Sequence, residues 1–419
     1  MKFVHAADIH LDSPLRGLER YEGAPVERIR RATRDALENL VALCLEEQAD
    51  LLLISGDLYD GNWKDYGTGL YFVSQMARLR GRTRVVLIRG NHDAASQITR
   101  SLPLPDFVKE LDPRRPESRI FEDLGVAVHG QSFASRAVTQ DLAATYPHAL
   151  TDLLNIGMLH TSIGGRESHE SYAPCSLDTL RSKGYGYWAL GHVHQREVVC
   201  EDPWVIFPGN LQGRHARETG AKGATLVTVE GGCITAVEHR SLDVVRWCVC
   251  EIDAGRAAST DDILDLVRVE LDRAVLGADG RAVAARVVIA GRTAAHTSVQ
   301  RDPDQILNTI RAVANDVGGG DVWVEKIHVR TRIPVDLDEI AARDDAIGQL
   351  TRSLRALRTN DAGLKSLVDD LADLRFQLPA EIREGDDAVD VDDLGFLRSV
   401  LDEVEQLLVP RLLAREEDR

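Results

Sequence analysis

Short apolar runs alternate with amphipathic segments along the first part of the chain. Residues 2–7, 49–57 and 84–93 read KFVHAA, ADLLLISGD and RVVLIRGNHD, and these runs predict buried β-strands. Residues 25–48 repeat apolar side chains at helical spacing behind Pro25, and residues 67–81 predict a second helix. This alternation is typical of an α/β sheet whose faces are covered.

Strand-like runs follow one another more closely after about residue 120. They occupy residues 119–130, 153–160, 185–194, 197–210 and 224–240. The last run contains the sequence EGGC, which predicts a hairpin turn. We expect more antiparallel pairing in this part of the chain.

The pattern changes again near residue 242. Residues 242–333 read as a βαβαβ unit, and the apolar side chains after residue 336 fall near heptad spacing. The sequence therefore predicts three parts: residues 1–241, an α/β unit at 242–335 and a helical region at 336–419. An acidic segment at 379–395 is predicted to be a mobile linker between helices.

Composition is that of a soluble globular protein, with 44% hydrophobic and 28% charged residues among 419. No stretch approaches the roughly 20 apolar residues of a membrane helix, and the N-terminal sequence MKFVHAADIH does not resemble a signal peptide. We therefore expect a cytoplasmic protein without membrane contact. The six cysteines form no C-x-x-C pair, so reduced thiols are expected.

The net charge of −17 argues against binding nucleic acid by bulk electrostatics. Residues 336–419 carry 22 acidic and 11 basic side chains, so much of the negative charge lies in the helical region. Bound divalent cations would offset part of the remainder. Acidity weakens a nucleic-acid hypothesis without excluding it.

The predicted strands of the first part end in groups that bind metals. In open α/β sheets, ligands bind at the carboxyl ends of strands, so these side chains can converge although they are far apart in sequence. They are Asp8, His10, Asp57, Asn91, His160, His192 and His194.

Spacing and donor type favour a site for two ions. Asp8 and His10 are two positions apart at a strand end, as are His192 and His194, so each pair can face one side. Imidazole, carboxylate and amide donors without sulfur suit Mn²⁺, Fe²⁺ or Zn²⁺. Seven ligands are too many for one ion and suit two ions that share a carboxylate, a site that hydrolyses phosphoesters.

The sequences DIH, GDLYD, GNHD, MLH and GHVH resemble the signature of calcineurin-like metallophosphoesterases over about the first 210 residues. FVHAADIHLDSPLRGL and FPGNLQGRHARETGAKG look like the DNA-repair exonuclease branch of that superfamily, which includes SbcD and the YhaO-type bacterial proteins. The βαβαβ unit resembles the capping domain of that branch. The resemblance implies a four-layer α/β/β/α sandwich, a small α/β capping domain and a C-terminal helical region.

The resemblance also implies a role for each matching residue. Asp57 would bridge two ions, one held with Asp8, His10 and His194 and the other with Asn91, His160 and His192. His92 would act on the phosphate as general acid or transition-state stabiliser, helped by Asp93. Some archaeal members carry a histidine where this chain has Asp60, so a direct role of Asp60 stays open, and the alternative is that Asp60 orients neighbouring groups. Mn²⁺ is the expected metal, with Mg²⁺, Fe²⁺ and Zn²⁺ as alternatives.

Residues beyond the histidine pair are candidates for substrate binding. Arg214, His215, Arg217 and Lys222 follow closely and could contact substrate phosphates. A solvated loop is the equally weighted alternative.

Three functions remain open at this point. A Mn²⁺-dependent DNA exonuclease is favoured, with DNA and a coiled-coil ATPase of the SbcC or YhaN kind as partners, and a homodimer as in relatives. The C-terminal helices would either dock that ATPase or pack as a small bundle. A phosphoesterase for a small molecule or a phosphoprotein is the alternative, and a non-enzymatic scaffold is disfavoured by the intact ligand set.

Overall fold

The computed structural model describes residues 1–13, 26–60, 66–95, 104–163, 173–334, 336–371 and 393–417. Pro25 and residues 379–392 of the predicted linker lie outside them. The strands are β1 (Lys2–Ala6), β2 (Leu51–Ser55), β3 (Arg84–Ile88), β4 (Val108–Glu110), β5 (Glu117–Phe121), β6 (Val126–Gly130), β7 (Leu154–His160), β8 (Tyr187–Gly191), β9 (Glu197–Glu201), β10 (Trp204–Phe207), β11 (Gly223–Glu230), β12 (Cys233–Ser241), β13 (Val245–Asp253), β14 (Ala282–Arg292) and β15 (Val322–Arg332).

Helices occupy the segments between and after these strands. They are α1 (Val26–Glu46), α2 (Tyr66–Ala77), α3 (Asn91–Ala95), α4 (Leu177–Ser182), α5 (Thr260–Gly277), α6 (His296–Arg301), α7 (Pro303–Gly318), α8 (Leu337–Ala342), α9 (Ala346–Thr359), α10 (Asp361–Asp370) and α11 (Leu394–Glu417). The sequence pattern predicts most of them. It misses α3, α4 and α6, because these helices of five or six residues are too short to show a period.

Two six-stranded sheets form the first part of the chain. The first has the order β12-β11-β1-β2-β3-β4 and the second has the order β5-β6-β7-β8-β10-β9. Strands β6, β7, β8 and β10 pair in parallel, while β5 and β9 pair antiparallel at the edges. The expected antiparallel pairing is therefore found at the edges of the second sheet, in the β11–β12 hairpin and between β11 and β1, whereas the centre of the second sheet is parallel.

The two sheets face each other across a shared apolar core. Phe3 and Leu53 of the first sheet pack with Ile156 and Tyr187 of the second. The outer face of the first sheet packs on α1 through residues such as Leu40, and separate apolar side chains cover the outer face of the second sheet with α4. The four-layer α/β/β/α sandwich is thereby confirmed, and burial on both faces explains the continuous apolar runs.

The parallel register of β1 and β2 continues beyond the strands. Ala6 pairs with Ile54 at the end of the ladder, and an isolated bridge joins Leu11 to Tyr59 with the same offset. The loops after the two strands therefore run side by side and have the same length up to that bridge.

The described residues fall into two compact units. The first comprises Met1–Cys250, Arg268–Val287 and Arg311–Ile327, and the second comprises Glu251–Val267, Val288–Ile310 and His328–Arg419. Strands β13, β14 and β15 form a three-stranded sheet in that order, as expected for the βαβαβ segment. The predicted boundaries after residues 241 and 335 stay predictions.

The C-terminal helices pack on one another within the second unit. Leu337 of α8 and Ile347 of α9 are buried with Val409 of α11. Arg355 of α9 donates to Glu405 of α11 at 2.9 Å between Nε and Oε1. Packing as a small bundle, one of the two predictions for the C-terminal helices, thus accounts for part of their heptad-spaced apolar side chains. No helix in the described ranges combines the length and the apolar character that a bilayer crossing requires.

Backbone contact between the two sheets occurs where β2 and β8 end. A Cβ atom on Gly191 would lie 1.9 Å from the carbonyl oxygen of Ser55. The Ser55 hydroxyl also donates to the Ala189 carbonyl at 2.9 Å. Similarly, a Cβ on Gly90 would lie 2.2 Å from Asp57 Oδ1. Glycine is required here because no side chain fits between the strand ends.

We expect Gly191→Ala to destabilise the protein by at least about 1–3 kcal/mol, because the new methyl group meets backbone that cannot rotate away. The midpoint of urea or thermal unfolding measures the effect. Gly277→Ala is the matched control, since a Cβ there has no other heavy atom within 4 Å. The control should unfold at or slightly above the wild-type midpoint, and an unchanged midpoint for Gly191→Ala would contradict the close approach.

Candidate metal centre

The paired loops after β1 and β2 bring three predicted ligands together. The backbone N–H of Asp8 donates to the Gly56 carbonyl, and that of His10 donates to the Asp57 carbonyl, both at 3.0 Å. Asp8, His10 and Asp57 are each at most 2% exposed. Their side chains therefore lie at the edge where the parallel strands end, as the sequence predicts.

Left-handed backbone is concentrated in the loops after β1, β2 and β8. The φ angle is 51° at Asp8, 45° at His10, 52° at Asp57 and 102° at His192. Residues with side chains rarely adopt such angles, each costs on the order of 1–3 kcal/mol, and they cluster at functional sites. Surrounding contacts hold the strain: the His192 N–H donates to both carboxylate oxygens of Asp8, at 2.9 and 3.2 Å.

Asp8, His10 and His194 form one group of candidate metal ligands. The Nε2 atoms of His10 and His194 are 3.2 Å apart, and His194 Nε2 is 3.6 Å from Asp8 Oδ1. Ligand atoms at about 2.0–2.2 Å from one ion lie roughly 3.0–3.5 Å from each other. The spacing of this group therefore fits a single ion.

Asp57, His160 and Asn91 form a second group beside the first. His160 Nε2 lies 3.0 Å from Asn91 Oδ1 and 3.4 Å from Asp57 Oδ2. The other ring nitrogen of His160 bonds the Ser55 carbonyl at 3.0 Å, which directs Nε2 into the site. The ring of His192 packs edge-to-face against His160, with 5.3 Å between ring centroids.

One oxygen of Asp57 lies between the two groups. Asp57 Oδ2 is 3.9 Å from His10 Nε2 and 3.4 Å from His160 Nε2. The other oxygen, Oδ1, accepts the backbone N–H of His92 at 2.9 Å. This hydrogen bond fixes the carboxylate so that Oδ2 faces both ligand groups, as a bridging position requires.

The electrostatics of the buried groups also suit cations. Burial raises the pKa of Asp8, and the charge of Asp57 adds to that effect. Burial also favours protonation of Asp57, but His160 and His10 outweigh it and hold the pKa of Asp57 well below its usual range. Conversely, burial lowers the pKa of His160, while Asp57 and Asp8 raise it to about 9. Positive charge is thus what stabilises the carboxylates, and divalent ions would supply it.

His92 lies at the solvent side of the ligand groups. Its Nδ1 is 2.7 Å from Asp60 Oδ1, and its side chain is 34% exposed. Partial burial lowers the pKa of His92, but the hydrogen bond to Asp60 and the charge of Asp57 raise it above the usual value overall. Asp60 also accepts the Ser13 hydroxyl. Asp60 therefore makes the carboxylate contact to the His92 ring that the motif resemblance implies for Asp93.

Asp93 has a different position. Its carboxylate accepts the backbone N–H groups of Leu58, Tyr59 and Gly90 at 2.9–3.1 Å. Burial and the nearby charge of Asp57 raise the pKa of Asp93 to about 7, although these hydrogen bonds act in the opposite direction. Asp93 thereby holds the loops after β2 and β3 together, and its predicted help to His92 would act through the backbone.

The candidate substrate residues differ in accessibility. Arg214 has a side-chain exposure of 16% and lies between Glu218 and Asp60, with Nη2 at 3.2 Å from Glu218 Oε1 and Nη1 at 3.7 Å from Asp60 Oδ2. The side chain of His215 is 54% exposed. Lys222 is buried and donates to the His194 carbonyl at 2.8 Å, so it braces the loop instead of facing substrate.

Glu218 was not predicted from the sequence. It lies within GRHARETG as a lone acidic residue, and no spacing marks it. In the structure, Glu218 Oε1 is 2.6 Å from His194 Nδ1. Burial raises its pKa, but the hydrogen bond to His194 and the charge of Arg214 hold the pKa well below its usual range.

Comparisons with known proteins agree with this geometry. Residues 1–196 match the family model described as calcineurin-like phosphoesterase, and residues 247–332 match that described as metallophosphoesterase YhaO, middle domain. The chain is 34% identical over 296 residues to the uncharacterized metallophosphoesterase YhaO of Bacillus subtilis strain 168. The aligned region covers 70% of this chain and 72% of the Bacillus protein. The crystal structure of TT1561 of Thermus thermophilus covers 57% of this chain and 98% of its own, but with a TM-score of 0.34 and 11% identity it supports no argument.

The chain therefore belongs to the calcineurin-like metallophosphoesterases, which are metal-dependent phosphoester hydrolases. Within that family, the middle-domain match and the identity to the Bacillus protein place it with YhaO. The resemblance inferred from the motifs is confirmed, and the use of divalent metals follows from the family.

We expect Asp60→Asn to lower the pKa of His92, because the variant removes the anion that stabilises the protonated ring. NMR titration of ¹³C-labelled histidine in metal-free protein measures this pKa, and His92→Gln identifies the signal. Since the wild-type pKa is raised above the usual value of about 6.5, the variant titration should shift to lower pH. Asp123→Asn removes an exposed partner of Arg84 and should leave it unchanged. An equal pKa of His92 in Asp60→Asn and in the wild type would show that Asp60 does not stabilise the protonated imidazole.

Proposed function

We propose that this protein is a two-metal, Mn²⁺-dependent DNA nuclease that hydrolyses phosphodiester bonds as a DNA-repair exonuclease. The observation that carries the proposal is the position of Asp57 Oδ2, within 3.4 to 3.9 Å of ring nitrogens from both ligand groups. Two ions held by these groups would lower the pKa of a water molecule and neutralise phosphoryl charge. Mn²⁺ suits the mixed imidazole, carboxylate and amide donors, and Mg²⁺, Fe²⁺ and Zn²⁺ are the alternatives.

The chain itself supplies proton transfer through His92. Because Nδ1 of the ring bonds Asp60, Nε2 is the nitrogen that can donate a proton to the leaving oxygen. The raised pKa of His92 keeps more of the ring protonated near neutral pH. Asp57 Oδ1 bonds the His92 N–H, so the acid and the bridging carboxylate are held by one hydrogen bond.

Substrate would approach from the partly exposed side of the centre. The side chains of His92 and His194 are 34% and 27% exposed, while those of Asp57 and His160 are 2% and 0% exposed. His215 lies on the same side, within 3.5 Å of Glu218, and offers a contact to a phosphate next to the scissile one. Arg214, which contacts Glu218, adds positive charge near His215.

A DNA substrate is supported by the residues outside the sandwich. The motif resemblance to repair exonucleases includes the β13–β15 segment, which a minimal phosphatase does not need. A phosphoesterase for a small molecule or a phosphoprotein is the second candidate. It is favoured by the net charge of −17 and by the carboxylates of Glu218 and Asp60 beside Arg214, which reduce long-range attraction of DNA.

A coiled-coil ATPase of the SbcC or YhaN kind is the proposed partner, and the C-terminal helices are its proposed docking element. Their negative charge disfavours direct binding to the DNA phosphates. Their packing on one another leaves the side chain of Leu408 in α11 exposed. A homodimer, DNA as partner and the absence of membrane contact stay predictions.

We expect the purified protein with Mn²⁺ to cleave end-labelled linear single- or double-stranded DNA. His92→Gln should lower kcat by about 10²–10⁴-fold while ions stay bound, because the proton donor is lost. Asp57→Asn should lose both bound Mn²⁺ and cleavage, since the shared ligand is removed. Denaturing gels and metal analysis of each variant provide the readouts.

His148→Gln is the control for this experiment, because His148 is an exposed histidine on the loop between β6 and β7. A generic aryl phosphodiester is assayed in parallel. Cleavage of the ester alone would retain the metal centre and favour the small-molecule alternative. Full DNA cleavage by His92→Gln would overturn the acid assignment.

Leu408→Asp should weaken binding of the ATPase at least about 10-fold, because a charged group would be desolvated in an apolar contact. Size-exclusion chromatography and titration of the co-purified pair measure this. Leu276→Asp is the matched control, since Leu276 is an exposed leucine of α5 in the other compact unit. Equal binding by both variants would exclude docking at this face of α11.

A further inference from the structure

We propose that Glu218 is a positioning residue that fixes the tautomer and orientation of His194 and so preassembles the ligand group of Asp8, His10 and His194. The contact that carries the inference is the 2.6 Å separation of His194 Nδ1 and Glu218 Oε1. The inference rests on the proposed ligand assignment of that group and is independent of the DNA substrate.

The surroundings of Glu218 define where the proton lies. Its Oε2 accepts the Asn210 side-chain amide at 2.9 Å and the backbone N–H of Arg214 at 2.7 Å. Its Oε1 accepts the Arg214 guanidinium at 3.2 Å. These donors, one of them a guanidinium, fit an ionised carboxylate, which places the proton of the contact to His194 on Nδ1. Arg214 Nη2 lies 3.3 Å from the same Nδ1 and then donates to Glu218 Oε1 instead.

The tautomer of His194 follows from that assignment. A proton on Nδ1 leaves the lone pair of the neutral ring on Nε2, the atom that lies 3.2 Å from His10 Nε2 and 3.6 Å from Asp8 Oδ1. A carboxylate behind a histidine ligand fixes the ring and raises its basicity. Glu218 therefore acts on the centre through His194 and needs no contact with substrate.

The loop that carries Glu218 is itself anchored. The Gln212 side chain donates to the Val245 carbonyl at 2.6 Å and accepts the Val244 N–H at 2.8 Å. Trp247 Nε1 donates to the Gly213 carbonyl at 2.9 Å. These bonds to the start of β13 hold the loop, so the carboxylate position does not depend on a bound ion.

The test uses full-length, metal-stripped protein and Mn²⁺ alone. Isothermal titration calorimetry of the wild type should show two ions, and Glu218→Gln should weaken one of them about 10–100-fold while the other keeps its affinity. The amide places a donor where one carboxylate oxygen accepts, so either His194 or the Arg214 N–H loses its partner. Glu325→Gln is the matched control, because Glu325 is a buried carboxylate paired with Arg286 away from the centre.

A second measurement observes the tautomer directly. Long-range ¹⁵N–¹H correlation spectra of wild-type, metal-free protein should show the Nδ1–H tautomer for His194, and Glu218→Gln should shift the signal towards a mixture. Wild-type affinity for both ions in Glu218→Gln, or an Nε2–H tautomer in the wild type, would overturn the inference alone. Failure of the wild type to bind two ions would overturn the ligand assignment as well. Neither measurement uses DNA, so a failure to cleave DNA would contradict the proposed nuclease function without affecting this inference.

Discussion

Two carboxylates buried at one edge of a sheet are the constraint on which the rest of the structure depends. Asp8 and Asp57 have almost no exposure, and an isolated buried carboxylate is far less stable than one in water. The histidines remove only part of the problem: against the effect of burial, His160 holds the pKa of Asp57 low, but burial still raises the pKa of Asp8 and lowers that of His10. Divalent cations would supply the missing positive charge, in line with the use of divalent metals by the family to which the chain belongs.

The rest of the site serves to hold these groups in place. Left-handed backbone at four candidate ligand positions is sustained by hydrogen bonds between loops and by glycines that admit no side chain. Outside the ligands, Asp60 holds His92, the Ser55 carbonyl holds His160 and Glu218 holds His194. Each of these three histidines thus has one nitrogen bound to an oxygen and the other available for the centre.

Much of this could be predicted from the sequence, for a physical reason. Parallel strands end at a common edge, so polar residues after apolar runs, such as Asp57 and His160, can be grouped without knowing the structure. The partner of His194 could not be predicted, because it comes from a loop whose course depends on distant anchors. Glu218 reaches His194 from a loop that Gln212 and Trp247 anchor to β13, and Lys222 in the same loop is buried and donates to the His194 carbonyl.

The equal length of the loops after β1 and β2 has a consequence for how this centre can change. The offset that pairs Ala6 with Ile54 is kept at Leu11 and Tyr59, with His10 and Asp57 in between. A single-residue insertion in either loop would break the backbone bonds between the loops and displace candidate ligands of both groups together. Changes in the length of these two loops therefore cannot alter one candidate ligand group without the other, so divergence here is expected as side-chain exchange at fixed positions.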